Sequence, residues 1–186
     1  MKTRIVIAAA LLAATPAFAA LKEGASAPAF SIPAVKGGDT FDFKLAEALQ
    51  KGPVVLYFYP AAFTSGCTVE AHAFAEATPQ FEAMGATVIG VSADGIDKLK
   101  KFSTQECQSK FPLGADVDKA VMKSYDAKML KVLPVSNRTS YVISPEGKIL
   151  YVYSALDPDG HVQNTLAAVK TWHDAHAESP KPAEQQ

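Results

Sequence analysis

Any thiol chemistry in this chain must come from Cys67 and Cys107, its only cysteines. Cys67 lies in the run Tyr57-Phe58-Tyr59-Pro60-Ala61-Ala62-Phe63-Thr64-Ser65-Gly66-Cys67-Thr68-Val69-Glu70, where a strand pattern gives way to a helical one. A strand ending near Tyr59 and a helix beginning near Cys67 put the thiol on a first helical turn. There, unpaired N–H groups and the positive end of the helix dipole stabilise an anion. A thiol of ordinary pKa near 8.5 is about 3% ionised at pH 7, whereas one lowered to about 6 is about 90% ionised. That shift corresponds to about 3.4 kcal/mol, and a helix terminus typically supplies less than about 2. A thiolate at this position therefore calls for a cation from elsewhere in the chain. Position alone leaves a second reading open, a small buried core residue, because free cysteine is among the most buried residue types.

The surrounding pattern alternates between strand and helix. Phe30 to Val35 and Thr40 to Phe43 flank Gly37-Gly38, which predicts an N-terminal hairpin. Val54 to Tyr59 and Thr87 to Ser92 are apolar runs too short for helices, suited to central strands buried on both faces. Between them Ala71, Phe74, Thr78 and Phe81 recur at helical spacing, with Pro79 expected to kink the helix late. A second helix is predicted from Ile96 to about Cys107, then a short extended segment at Phe111-Pro112-Leu113. Arg138 to Ser144 and Ile149 to Ser154 read as strands joined by the turn Pro145-Glu146-Gly147-Lys148, and His161 to about Ala175 as a closing helix. A βαβ unit followed by a hairpin and a terminal helix predicts an α/β protein of thioredoxin-like architecture, a central mixed β-sheet flanked by helices.

At 186 residues the chain is long enough for one domain, and 18 basic against 19 acidic residues leave no basic face for nucleic acid. Two cysteines are too few for a multiply bridged mini-protein or a zinc site built from thiolates alone. Residues 1–19 read as a cleaved secretory signal: Lys2 and Arg4 precede the apolar stretch Ile5 to Ala14, and Ala17-Phe18-Ala19 supplies the cleavage pattern. Thr15 and Pro16 cut that stretch well short of the roughly 18 residues a membrane span needs. The mature domain is expected over residues 20–177, exported to a periplasm, with no membrane partner and a disordered tail at 178–186. Gly90-Val91-Ser92-Ala93-Asp94 lacks the final glycine of a hydrolase nucleophile elbow. His173 and His176 are weak metal candidates, and Asn137-Arg138-Thr139 is read as a coincidental glycosylation sequon.

Pro60, Thr64 and Cys67 stand in the pattern P-x-x-x-T-x-x-C, and with it the chain resembles the peroxiredoxins. The run Thr64-Ser65-Gly66-Cys67-Thr68-Val69-Glu70 is similar to the bacterioferritin-comigratory, or Q-type, branch of the AhpC/TSA family. The likeness extends from about Pro28 to Lys170 and includes Asn137-Arg138-Thr139-Ser140-Tyr141-Val142-Ile143, similar to the family strand whose arginine faces the reactive cysteine. It implies a peroxidase for hydrogen peroxide and organic hydroperoxides, with no bound cofactor or metal, an external dithiol reductant of thioredoxin type, and a monomer or weak dimer.

The roles it implies have physical reasons. Cys67 would attack the peroxide and become a sulfenic acid. Thr64 would accept a hydrogen bond from the peroxide while donating one toward the thiolate, or else serve as the helix N-cap. Pro60 would wall the thiolate from water, or simply end the strand. Arg138 would be the missing cation, donating to the thiolate and the departing oxygen. Glu70, one turn after the cysteine, would orient Arg138 or remain a solvated charge. The branch often places its resolving cysteine five residues after the peroxidatic one, where this chain has His72, read as an ordinary helix residue. Cys107 is the candidate resolving thiol, and reduction of Cys67 by an external thiol is the alternative.

Two other classes compete. A thioredoxin-like thiol-disulfide oxidoreductase would need C-x-x-C, and Thr64 occupies the place of its other cysteine. A non-enzymatic module would use a Cys67 to Cys107 bridge structurally, for about 4 kcal/mol.

Overall fold

The computed structural model describes residues 20–128 and 136–177, so the expected leader and tail lie outside the described residues. Its elements in chain order are β1 (Ser31–Lys36), β2 (Asp39–Lys44), α1 (Leu45–Leu49), β3 (Val54–Phe58), α2 (Ser65–Ala83), β4 (Thr87–Ser92), α3 (Ile96–Gln105), β5 (Leu113–Ala115), α4 (Ala120–Ser124), β6 (Thr139–Ile143), β7 (Ile149–Ser154) and α5 (His161–Ala177). The strands form one seven-stranded sheet in the order β2-β1-β5-β4-β3-β6-β7. β4 runs parallel to β3 and β5, while β3 and β6 pair antiparallel, so the sheet is mixed. This is the thioredoxin-like α/β arrangement that the order of sequence signals predicts.

β3 is the centre, and its composition explains why. All five of its residues are buried. Val55 and Tyr57 point into a cluster closed by α2, α3 and α5, whereas Val54, Leu56 and Phe58 point into a second cluster closed by α1 and α4. Alternation along a strand with helices on both faces produces this continuous apolar run. Tyr57 stacks on Phe74 of α2 at a centroid distance of 4.3 Å, which sets α2 against the strand that precedes it. The N-terminal hairpin forms as expected: Lys36 faces Asp39 across Gly37-Gly38, whose φ angles of 61° and 92° are left-handed values that glycine adopts without penalty.

Three features differ from the sequence reading. α1 and α4 were not expected, because five residues are too few to show a helical period. α2 continues through Pro79 to Ala83. The Ile96 helix ends at Gln105, not at Cys107: the Cys107 N–H turns back to the Phe102 carbonyl at 3.1 Å, and Gln108 and Ser109 both take positive φ. Cys107 therefore sits in the turn after α3, with its side chain fully buried. Among the described residues no helix is long and apolar enough to cross a membrane.

Candidate active site

The parallel pair β3 and β4 delivers the chain to one end of the sheet, where the loop from Pro60 to Thr64 leads into α2. Tyr59 extends the ladder by one bond to the Val91 carbonyl at 3.2 Å, and half-buried Pro60 ends it. The loop is tied down from β4's end: the Ala62 N–H donates to Asp94 Oδ2 at 2.7 Å, and the Ser92 hydroxyl donates to the same oxygen at 2.9 Å. Ser136, just before β6, donates its hydroxyl to the Tyr59 carbonyl. Sequence reasoning missed both anchors. Asp94 stood in a run considered only as a failed hydrolase motif, although Ser-x-Asp after a buried strand is also a local side-chain capping pattern.

Thr64 is the residue before α2, with extended φ and ψ of −81° and 148°. Its carbonyl accepts the Thr68 N–H at 2.9 Å, as an N-cap carbonyl should. Its hydroxyl donates to the Ala61 carbonyl at 3.0 Å, which corrects the expected donation toward the thiolate. With its proton committed there, the Thr64 oxygen faces a ligand as an acceptor. It also makes no capping bond to the first turn of α2, whose N–H groups, including that of Cys67, gain nothing from this side chain.

Cys67 lies in that first turn and is only 2% exposed. Arg138, one residue before β6 and 4% exposed, is the cation the sequence called for: its Nη2 lies 3.6 Å from the Cys67 sulfur. Two further bonds fix the guanidinium. Nε donates to the Leu156 carbonyl at 2.9 Å, and Nη1 donates to Glu70 Oε2. Burial works against the charge on Arg138, but Glu70 and Cys67 more than offset it and the group stays protonated. Gly66 makes the approach possible, because a Cβ there would sit 3.1 Å from Arg138 Nη2.

Glu70 is fully buried rather than solvated, and it does hold Arg138. Burial pushes its carboxyl up to about 8, although Arg138 beside it pulls the other way. Behind it lies His161, the first residue of α5, also fully buried. Its Nδ1 is 2.8 Å from the Ser140 hydroxyl and its Nε2 is 3.0 Å from the Ala155 carbonyl. The histidine was seen in sequence only as a helix start, and nothing in its neighbours marks it as a companion of the site.

Cys107 and Cys67 are both unbridged and belong to the same buried cluster. Burial drives the Cys107 thiol far up, with Glu106 adding to the effect, so Cys107 is a protonated thiol in this conformation. His72 is a half-exposed residue of α2 whose Nε2 lies 2.8 Å from Glu106, the residue before Cys107. Among the described residues no group of histidines, cysteines and carboxylates could hold a metal ion. His176 instead accepts contact from Trp172, on which its ring stacks at 4.3 Å.

The arrangement is a buried sulfur at a helix start, a fixed guanidinium beside it and a hydrogen-bond acceptor at the mouth of the loop. It suits nucleophilic attack by sulfur with charge developing on a second atom. Comparisons with known proteins agree. Residues 24–152 match the AhpC/TSA family. Peroxiredoxin Bcp of Xanthomonas campestris is 34% identical over 130 residues, 67% of this chain and 78% of its own. Peroxiredoxin Q, chloroplastic, of Suaeda salsa is 34% identical over 149 residues, 80% of this chain and 67% of its own. The crystal structure of peroxidoxin BcpB from Mycobacterium tuberculosis superposes with a TM-score of 0.74 at 31% identity, covering 81% of this chain and 97% of that one. A buried cysteine held against an arginine at the start of the helix after the central strand, on this fold and with these relatives, makes the chain a member of the AhpC/TSA family, in its bacterioferritin-comigratory or Q-type peroxiredoxin branch.

Proposed function

We propose that the chain reduces hydrogen peroxide and organic hydroperoxides through Cys67, and the observation that carries this is Arg138 Nη2 at 3.6 Å from the Cys67 sulfur in a site that excludes water. The thiolate attacks the terminal peroxide oxygen in line with the O–O bond, forming a sulfenic acid as the alkoxide or hydroxide departs. Thr64 accepts the peroxide O–H, which holds the reacting oxygen in place, and Arg138 donates to the charge that develops on the leaving oxygen. Pro60 and Ala62, at the strand end, keep the loop closed against solvent.

The sulfenic acid is then resolved by Cys107, forming a Cys67 to Cys107 disulfide and releasing water, and an external dithiol of thioredoxin type reduces the bridge. A protonated, fully buried Cys107 cannot attack while both helix ends are intact. The first turn of α2 and the turn after α3 therefore open first, a local step that leaves the sheet in place. The leader at residues 1–19 points to export and a periplasmic site of action.

Reduced protein mixed with one equivalent of hydroperoxide should consume it in a single turnover, leave insulin disulfides intact, and yield a Cys67 to Cys107 linkage in monomeric material under non-reducing peptide mapping. Insulin reduction without peroxide consumption would replace this reading with a thiol-disulfide oxidoreductase. A lasting Cys67 sulfenic acid with Cys107 still alkylatable would keep the peroxidase and reject the resolving role. N-terminal sequencing of protein expressed with its leader should begin at Ala20.

A further inference from the structure

One cation serves two buried groups that can each become anions. Arg138 donates through Nη1 to Glu70 Oε2 and through Nη2 to the Cys67 sulfur, and both partners are cut off from water. A buried charge is tolerated only when it is paired, and one guanidinium neutralises one negative charge. Glu70 and Cys67 are therefore rivals for the same partner, and ionising both would leave a bare anion in the core.

The far side of Glu70 shows where a proton would rest. Glu70 Oε1 has no hydrogen-bond partner among the described residues, and His161 Nδ1 lies 3.7 Å from it. The imidazole is neutral, since burial drives it down to about 4 with Arg138 adding to the effect. Its Nε2 faces the Ala155 carbonyl, which can only accept, so Nε2 carries the ring proton and Nδ1 presents a lone pair. That lone pair already accepts the Ser140 hydroxyl at 2.8 Å, so this face of the ring has no proton to offer Glu70 Oε1, and its negative end repels a carboxylate and favours the uncharged acid. The remaining titratable neighbours do not compete: burial holds Tyr57 protonated, and Asp157 acts on His161 only at a distance.

We propose that Glu70, set between Arg138 and His161, is a buried proton store that trades its charge with Cys67 during peroxide reduction. This rests on the peroxidase reading and adds a positioning pair to it. With Cys67 ionised, the guanidinium belongs to the sulfur and Glu70 holds a proton. When the sulfur takes the terminal hydroxyl of ROOH, an S–O bond forms, the O–O bond breaks, and its electron pair leaves on the RO oxygen. The sulfenic acid is uncharged, so Glu70 releases its proton and recovers Arg138, while RO⁻ becomes ROH. Cys–S⁻, Glu–COOH and ROOH thus become Cys–SOH, Glu–COO⁻ and ROH, with the same net charge on both sides.

The test uses readouts that need no peroxide. In a Cys107→Ser background, the rate of Cys67 alkylation by iodoacetamide is followed against pH. Wild-type Glu70 should give a transition broader than one proton. Glu70→Gln, a permanently neutral stand-in, should give a single-proton transition with its midpoint lower by about one pH unit, the size that marks strongly coupled groups. His161→Gln should raise the midpoint when Glu70 is present and leave it unmoved in the Glu70→Gln background. A shift of equal size in both backgrounds means a merely structural histidine and overturns the proposal. Should the histidine variant not fold, infrared difference spectra of the otherwise native protein decide. A protonated carboxylic acid band must be present when Cys67 is ionised, absent in Glu70→Gln, and lost on alkylation of Cys67; its absence or persistence overturns the store. Wild-type protein that passes these tests but consumes no peroxide would refute the peroxidase reading alone.

Discussion

Replacing Arg138 with methionine removes the charge while keeping a side chain of similar length in a site that is 4% exposed. At the observed 3.6 Å, the attraction between a guanidinium and a thiolate is about 4.6 kcal/mol for an effective dielectric of 20. In the transition state the charge is divided between sulfur and the departing oxygen, and Arg138 addresses both. The loss should then fall in the range found for removal of one preorganised donor, about 2.7 to 4 kcal/mol or 100- to 1,000-fold in rate. The fold should survive the change, because burial already holds Glu70 up to about 8, and without Arg138 it stays protonated at neutral pH instead of becoming a bare carboxylate. Arg138→Lys should recover only part of the rate, since a point charge cannot donate at once to Leu156, Glu70 and the sulfur in fixed geometry. Stopped-flow measurement of the first turnover, with circular dichroism to verify folding, is the assay. A loss smaller than about tenfold in folded Arg138→Met would refute the electrostatic argument.

Cys67→Ser should abolish peroxide consumption, whereas Cys107→Ser should keep the first turnover and need an added small thiol for the second; equal defects in both variants would undo the division of roles. Gly66→Ala places a Cβ 3.1 Å from Arg138 Nη2 and displaces the guanidinium by a few tenths of an ångström, which should slow the first turnover about tenfold. An unchanged rate there would mean that the close approach of Arg138 is dispensable. His161 is held neutral, its pKa lowered from 6.5 to about 4 by burial, so the unfolded chain takes up a proton that the folded one refuses. Its contribution is complete above about pH 6.5 and is lost as the pH falls toward 4, by up to about 3 kcal/mol. Urea unfolding should therefore show wild type losing stability on acidification more steeply than His161→Gln, and parallel pH profiles would reject the assignment.

How much was legible beforehand depends on the range of the interaction involved. The strands at Val54 and Thr87, the Gly37-Gly38 hairpin and a helix opening close to Cys67, which starts two residues earlier at Ser65, are local matters of burial period and turn chemistry and were readable in the sequence. The same is true of Pro60, Thr64 and Cys67, which lie within one loop and one helical turn and so show up as a spaced pattern. Arg138 was identifiable by its family-like context, but its approach to a sulfur 71 positions earlier exists only because β3 and β6 pair in the centre of the sheet. Tertiary structure alone decided the rest. It turned the Thr64 hydroxyl onto Ala61, buried Glu70 against His161 from another helix, and set Cys107 in a dry turn past the end of α3. Each outcome depends on which low-dielectric space a side chain enters and which partner waits there, and a carboxylate or thiol has no local signature of either.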